Sequence, residues 1–188
     1  MSIKGSPLSF SQKTALSGVL TALALGLSYL EHFIPLDQIV FVPGIKLGLG
    51  NLVTVFALYY LGKGLAFCIL LCRCLMQAVL FGTLSSFLFS ISGGMLALFG
   101  MWLIFHGYPK YFSLIGICIG GAALHHCGQI VCAAFYFQSP WVFSYLPVLL
   151  LLSIPTGCLT GGISLALFQK FDKIFPKRSQ MAEKFKSL

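Results

Sequence analysis

Acidic residues are scarce in this sequence, and charge of either sign is low. Asp and Glu together number four among 188 residues, against 12 Lys and Arg, and charged residues make up 9% of the chain. An average soluble domain carries about 25% charged residues, so this chain cannot build a water-facing surface. Hydrophobic residues make up 58% of it, which predicts a membrane protein.

Several chemistries lack the residues that they need. No P-loop pattern for ATP is present, and the four scattered acids form no carboxylate pair to hold magnesium and a diphosphate. The seven cysteines fall in apolar runs and include no C-x-x-C pair, as is typical of small buried residues. We therefore predict no catalytic residue, no metal and no cofactor. The net charge of +8 does not predict nucleic-acid binding, because the basic residues stand between and after the apolar runs.

Continuous apolar runs predict an all-α membrane protein with about six transmembrane helices, rather than the alternating strands of a barrel. The predicted spans are 14–34, 47–61, 65–84, 86–105, 113–137 and 141–168. They form one membrane domain, 14–170, between an N-terminal segment, 1–13, and a basic tail, 171–188.

Basic residues predict the orientation of these spans. Lys4, Lys13, Lys63, Lys110, Lys170 and the five basic residues of the tail all fall on one side of a six-span bundle. Because Lys and Arg accumulate on the cytoplasmic side, we expect both termini in the cytoplasm of a bacterial cell.

Arg73 is the most informative single residue. It follows Lys63 by ten residues of predicted helix, which puts it about 15 Å deep, near the middle of the bilayer. A charge at that depth needs a partner. The candidates are Glu31 or Asp37 reaching inward, a cluster of backbone carbonyls, or an anionic ligand.

Two helices carry polar pairs at matching depth. Gln77 lies one turn beyond Arg73, and His125 and Gln129 are one turn apart near the middle of the fifth span. We predict that these four residues line one cavity, although polar side chains also bridge packed helices. His126 points elsewhere on its helix, and no further ligands suggest a metal site.

The glycine-rich segment 43–51, Pro-Gly-Ile-Lys-Leu-Gly-Leu-Gly-Asn, leads into the second helix. Its glycines permit close approach of the backbone, and Lys46 with the free N–H groups of a helix start suits an anion. We expect Lys46 and Asn51 near the mouth of the cavity. A simple re-entry loop is the alternative.

Small residues recur every four positions on two helices. Gly18, Ala22 and Gly26 form the first-helix stripe, and Gly157 and Gly161 form the sixth-helix glycine pair. Such spacing lets helices pack closely. Either pattern is explained by internal packing or by the docking of a partner subunit.

The segment 43–51 resembles the PGIKLGLAN signature of the Gx transporter family, which is also labelled heptaprenyl diphosphate synthase component I. The resemblance covers about residues 14–170. Its His-Asn-x-Gly-Gln motif reads His-His-Cys-Gly-Gln at 125–129, with His126 in place of the Asn. Further matches are Gly62, Arg73 followed by Gly82, Ser92-Gly93-Gly94 with Met101, and Gly121-Ala122.

This resemblance implies a substrate-binding subunit, or S component, of an energy-coupling-factor transporter. Such a subunit binds a small molecule, here an anionic or partly apolar one, and has no catalysis of its own. It implies a transmembrane coupling subunit and ATPase subunits as partners, with the first-helix stripe as the contact. The rival prediction is an accessory membrane subunit linked to isoprenoid synthesis.

Overall fold

The computed structural model of the chain describes residues 9–31, 33, 46, 48–108 and 110–174. Those residues form six α-helices and one 3₁₀-helix, and no β-strand occurs among them. The α-helices are α1 (Phe10–Glu31), α2 (Asn51–Tyr60), α3 (Lys63–Phe81), α4 (Leu84–Phe105), α5 (Leu114–Phe137) and α6 (Leu146–Ile174), and the 3₁₀-helix (Pro140–Tyr145) precedes α6. The predicted all-α bundle is thus confirmed.

Five of these helices are long and apolar enough to cross a membrane, the last together with its preceding 3₁₀-helix. The exception is α2, whose ten residues extend about 15 Å, half of the hydrocarbon thickness. The predicted second span was therefore too long. The glycines at its start form a turn rather than a helix, and α2 begins only at Asn51.

Side-chain caps fix several helix starts. Ser9 and Gln12 form a reciprocal capping box, so α1 begins at Phe10, four residues before the predicted start. The Thr83 hydroxyl accepts a hydrogen bond from the Ser86 amide and separates α3 from α4. Ser113 caps α5 through the Gly116 amide in the same way. The tail beyond Ile174 lies outside the described residues.

One end of the bundle gathers three parts of the chain that carry basic residues. The ring of Tyr59 at the end of α2 contacts Phe105 of α4 and Phe168 of α6, and Lys63 lies over the ring of Trp102. The start of α3, the loop after α4 and the end of α6 therefore share this end, which we call the basic end.

The free cysteines divide between the inside and the surface. Cys74 and Cys118 are buried as predicted, whereas Cys68, Cys72 and Cys158 are exposed. The prediction that all seven are buried was therefore wrong. Each exposed cysteine lies on a helix that could span a membrane, where a weakly polar thiol is compatible with lipid.

Candidate functional site

Arg73 lies in the middle of α3 and is only 2% exposed. Its Nη1 donates a hydrogen bond to the Ser28 hydroxyl of α1 at 3.1 Å. Its Nε and Nη2 have no hydrogen-bond partner in the described part of the chain. Because a buried cation with unused donors is costly in a membrane, Arg73 marks the candidate site.

Glu31 brings a carboxylate into the same region. It is the last residue of α1, it is buried, and the charges of Arg73 and Lys46 act on it. Its Oε1 accepts a hydrogen bond from the Leu49 amide. Of the two acids considered as a counter-charge, Glu31 is thus within electrostatic reach of Arg73, and Asp37 lies outside the described residues.

The end of the glycine-rich segment is built against these charged groups. Gly48 has φ +83°, and a Cβ there would lie 2.9 Å from Asn51 Nδ2 and 3.0 Å from His125 Cδ2. A Cβ on Gly50 would lie 2.5 Å from Arg73 Nη1. Gly48 favours glycine because of its positive φ, and a side chain at Gly50 would displace the Arg73 guanidinium. Residues 48–51 of the segment therefore lie inside the bundle, and Asn51 is buried there.

Gln129 of α5 holds the same segment from the other side. In the amide orientation that satisfies its neighbours, Oε1 accepts from the Lys46 backbone N–H at 3.1 Å and from His125 Nε2 at 3.2 Å. Its Nε2 donates to the Lys46 carbonyl and to His126 Nδ1, both at 3.2 Å. All hydrogen-bonding positions of this amide are used, so Gln129 anchors the segment.

Asn51 is the buried polar group with the most unused capacity. Neither atom of its amide has a hydrogen-bond partner among the described residues. It lines a cavity of about 10 Å³ with Gly48 and with Thr156 and Thr160 of α6. A space of that size holds one water molecule at most. The Asn51 amide therefore needs a water molecule or a ligand atom as its hydrogen-bond partner.

Five of the six predicted binding residues meet around the segment: Lys46, Asn51, Arg73, His125 and Gln129. The sixth, Gln77, is buried one turn from Arg73, and its amide oxygen has no partner among the described residues. The predicted proximity of the polar residues of α3 and α5 is thus observed, and their binding role stays a prediction.

Ser28 and His126 were not predicted for this region, and Glu31 was named only as a possible counter-charge to Arg73. Glu31 and Ser28 lie one turn apart on α1, and that i, i+3 pairing was the available signal. His126 was expected to point elsewhere, yet it is fully buried and bonded to Gln129. No group of three possible metal ligands occurs in the described ranges.

The charges of the region favour an anion. Among the described residues of this region, the basic side chains of Arg73 and Lys46 outnumber the one acidic side chain, Glu31. Unused donors on Arg73 and Asn51 face the same region. Basic side chains and unused donors of this kind suit a negatively charged group.

A family model for heptaprenyl diphosphate synthase component I matches residues 20–167. The chain belongs to this family. No curated protein and no solved structure matches the chain. The matched range contains every polar residue of the site.

Proposed function

We propose that this chain is a substrate-binding subunit of an energy-coupling-factor-type uptake transporter, with its basic end in the cytoplasm. It binds a small anionic, partly apolar molecule and has no catalysis of its own. The observation that carries this proposal is Arg73, a buried cation whose Nε and Nη2 donors are unused among the described residues.

The composition argues against prenyl transfer by this chain. Prenyl chemistry needs clustered acids to hold magnesium and a diphosphate, and the four acids of this chain form no aspartate-rich motif. Glu31 is already bonded to the backbone of the glycine-rich segment. Binding without catalysis is the role that these residues can fill.

The outer surface of α1 supports a partner subunit. All three members of the first-helix stripe are exposed, whereas Leu20, Ala24 and Ser28 on the same helix are buried in the bundle. Small residues on an exposed helix face let another helix approach closely. A membrane coupling subunit would supply such a helix, and its ATPase partners would supply the energy.

Replacement of Arg73 tests the binding role. Arg73→Gln keeps hydrogen-bonding groups and removes the charge, so retention of a co-purified anion should fall at least about tenfold, the equivalent of one charge-assisted hydrogen bond. The fold should persist, because Glu31 keeps its bond to Leu49 and its neighbour Lys46. Native mass spectrometry and the melting temperature report the two effects, and Lys63→Gln is the matched control. An unstable variant that still retains the anion would refute this role.

A second function is favoured by the family match. The chain would then be an accessory membrane subunit linked to isoprenoid synthesis, as the family description suggests. Crosslinking before purification separates the two functions. Coupling and ATPase subunits in the crosslinked complex would support transport, and a soluble prenyl synthase would support the alternative.

A further inference from the structure

The Glu31 carboxylate rests on an arrangement of backbone amides. It accepts a hydrogen bond from the Leu49 amide, and the Gly48 backbone also interacts with it. These residues come directly before α2. The first amides of α2, those of Asn51 and Leu52, donate to the carbonyls of Gly48 and Leu49, which leaves the amides of Gly48 and Leu49 themselves for Glu31. The positive φ of Gly48 turns successive amides toward one point, a geometry that binds anions.

Two cations complete this arrangement: Arg73, which is buried, and Lys46, which is partly exposed. Arg73 lies against Gly50, and its Nε and Nη2 groups have no hydrogen-bond partner among the described residues. Lys46 lies close enough for its charge to act on Glu31. The surroundings thus offer more positive charge and more donors than one carboxylate uses.

We propose that the amides of Gly48 and Leu49, with Arg73 and Lys46, form a binding site for a small carboxylate, and that Glu31 occupies it from within the chain. A solute that carries a carboxylate competes with Glu31 for this site. That the transported molecule is such a solute rests on the proposed function. The exchange conserves charge in the site, because one carboxylate replaces another.

The position of Glu31 gives the exchange a mechanical consequence. Glu31 ends α1, and the first-helix stripe ends at Gly26, about one and a half turns earlier. Loss of the bond between Glu31 and Leu49 frees the end of α1 from the glycine-rich segment. Binding of an anion is thereby linked to the helix that carries the proposed partner surface.

Chemical rescue tests the site. Glu31→Ala removes one methylene and the carboxylate, and acetate supplies a methyl group and a carboxylate of the same size. Acetate at about ten times its Kd should raise the melting temperature of the purified variant by about 3–6 °C. Sodium chloride at equal ionic strength should not raise it, and the wild-type protein should not respond to acetate.

Two further variants keep the test decisive. Ser28→Ala removes the Arg73 contact on the same face of α1 and leaves the carboxylate in place, so acetate should not stabilise it. If Glu31→Ala does not fold, Glu31→Gln replaces it, because the uncharged amide retains an oxygen that accepts from the Leu49 amide. Acetate should displace this side chain and raise the melting temperature measurably. No greater response than the wild type, or an equal response to chloride, would overturn the proposal. Partner co-purification of the wild-type chain is measured without acetate, so the transport proposal and the carboxylate-site proposal fail separately.

Discussion

The first-helix stripe faces out of the bundle, whereas the sixth-helix glycine pair is buried against another helix. A Cβ added at Gly18 or Gly26 would have no other atom within 4 Å, and Ala22 is exposed as well. A Cβ added at Gly157 would lie 2.4 Å from the Cα of Ile119 in α5. The sixth-helix glycine pair is a close helix contact within this chain, and the first-helix stripe is a surface that another helix can approach closely.

The contrast shows what small residues do at each place. At the glycine pair α5 and α6 approach until backbone touches backbone, which contributes dispersion contacts without ordering any side chain. At the first-helix stripe the small residues make no such helix contact within this chain. Any atom added at the sixth-helix glycine pair should therefore lower stability. Atoms added at the first-helix stripe should leave stability unchanged until a partner helix packs there.

The largest loss of stability is expected for Gly157→Leu. Its side chain would overlap the backbone of α5 at Ile119, and relief requires the helix itself to move. We expect a loss of about 3 kcal/mol, the upper part of the range for overpacking, measured as a lower melting temperature in detergent.

Gly162→Leu is the matched control for this change. Gly162 lies on the same helix, is exposed, and would place a Cβ in open space, so its variant should stay within about 0.5 kcal/mol of the wild type. Equal losses for both variants would mean that a bulky residue anywhere on α6 is harmful, and the contrast between the two patterns would fail.

An intermediate effect is expected for Gly161→Ala. The added methyl group would lie 2.8 Å from the Cα of Ile115, so α5 must shift by a few tenths of an ångström. A loss of about 1 kcal/mol is expected, the lower part of the overpacking range. Gly162→Ala, one residue away, should be neutral. Equal melting temperatures for Gly161→Ala and Gly162→Ala would mean that α5 accommodates the added methyl group without cost, contrary to the contact described.

Depth along a helix could be predicted from the sequence, because rise per residue is constant. That reasoning placed Arg73 and His125 at one level, and the structure joins them through Gly48 and Gly50. The position of Glu31 could not be predicted in this way. Its depth depends on where α1 ends relative to α2, and no periodic pattern encodes that relation.

The direction of a helix face was equally beyond the sequence. Four-residue spacing identifies a smooth face, but the identity of the neighbour depends on which helices pack together. The hydrogen bonds of Gln129 could not be predicted either, because they join it to the Lys46 backbone, about eighty residues earlier in the chain. The residue types predicted a cluster of polar side chains inside the bundle. Tertiary contacts determine that Gln129 uses all its hydrogen-bonding positions, whereas Arg73 keeps donors unused among the described residues.

The smallest change in stability is expected for Ala22→Leu, although its consequence for assembly should be complete. Ala22 is exposed in the middle of the first-helix stripe, and leucine is a good helix former. The isolated chain should therefore unfold within about 0.5 kcal/mol of the wild type. A partner helix that depends on close approach would meet the new side chain and fail to dock. Co-purification from crosslinked membranes measures this loss, with Gly162→Leu as the control that should keep its partners. A destabilised chain that still assembles would mean that the stripe packs within the bundle, and a stable chain that still assembles would mean that partners bind elsewhere.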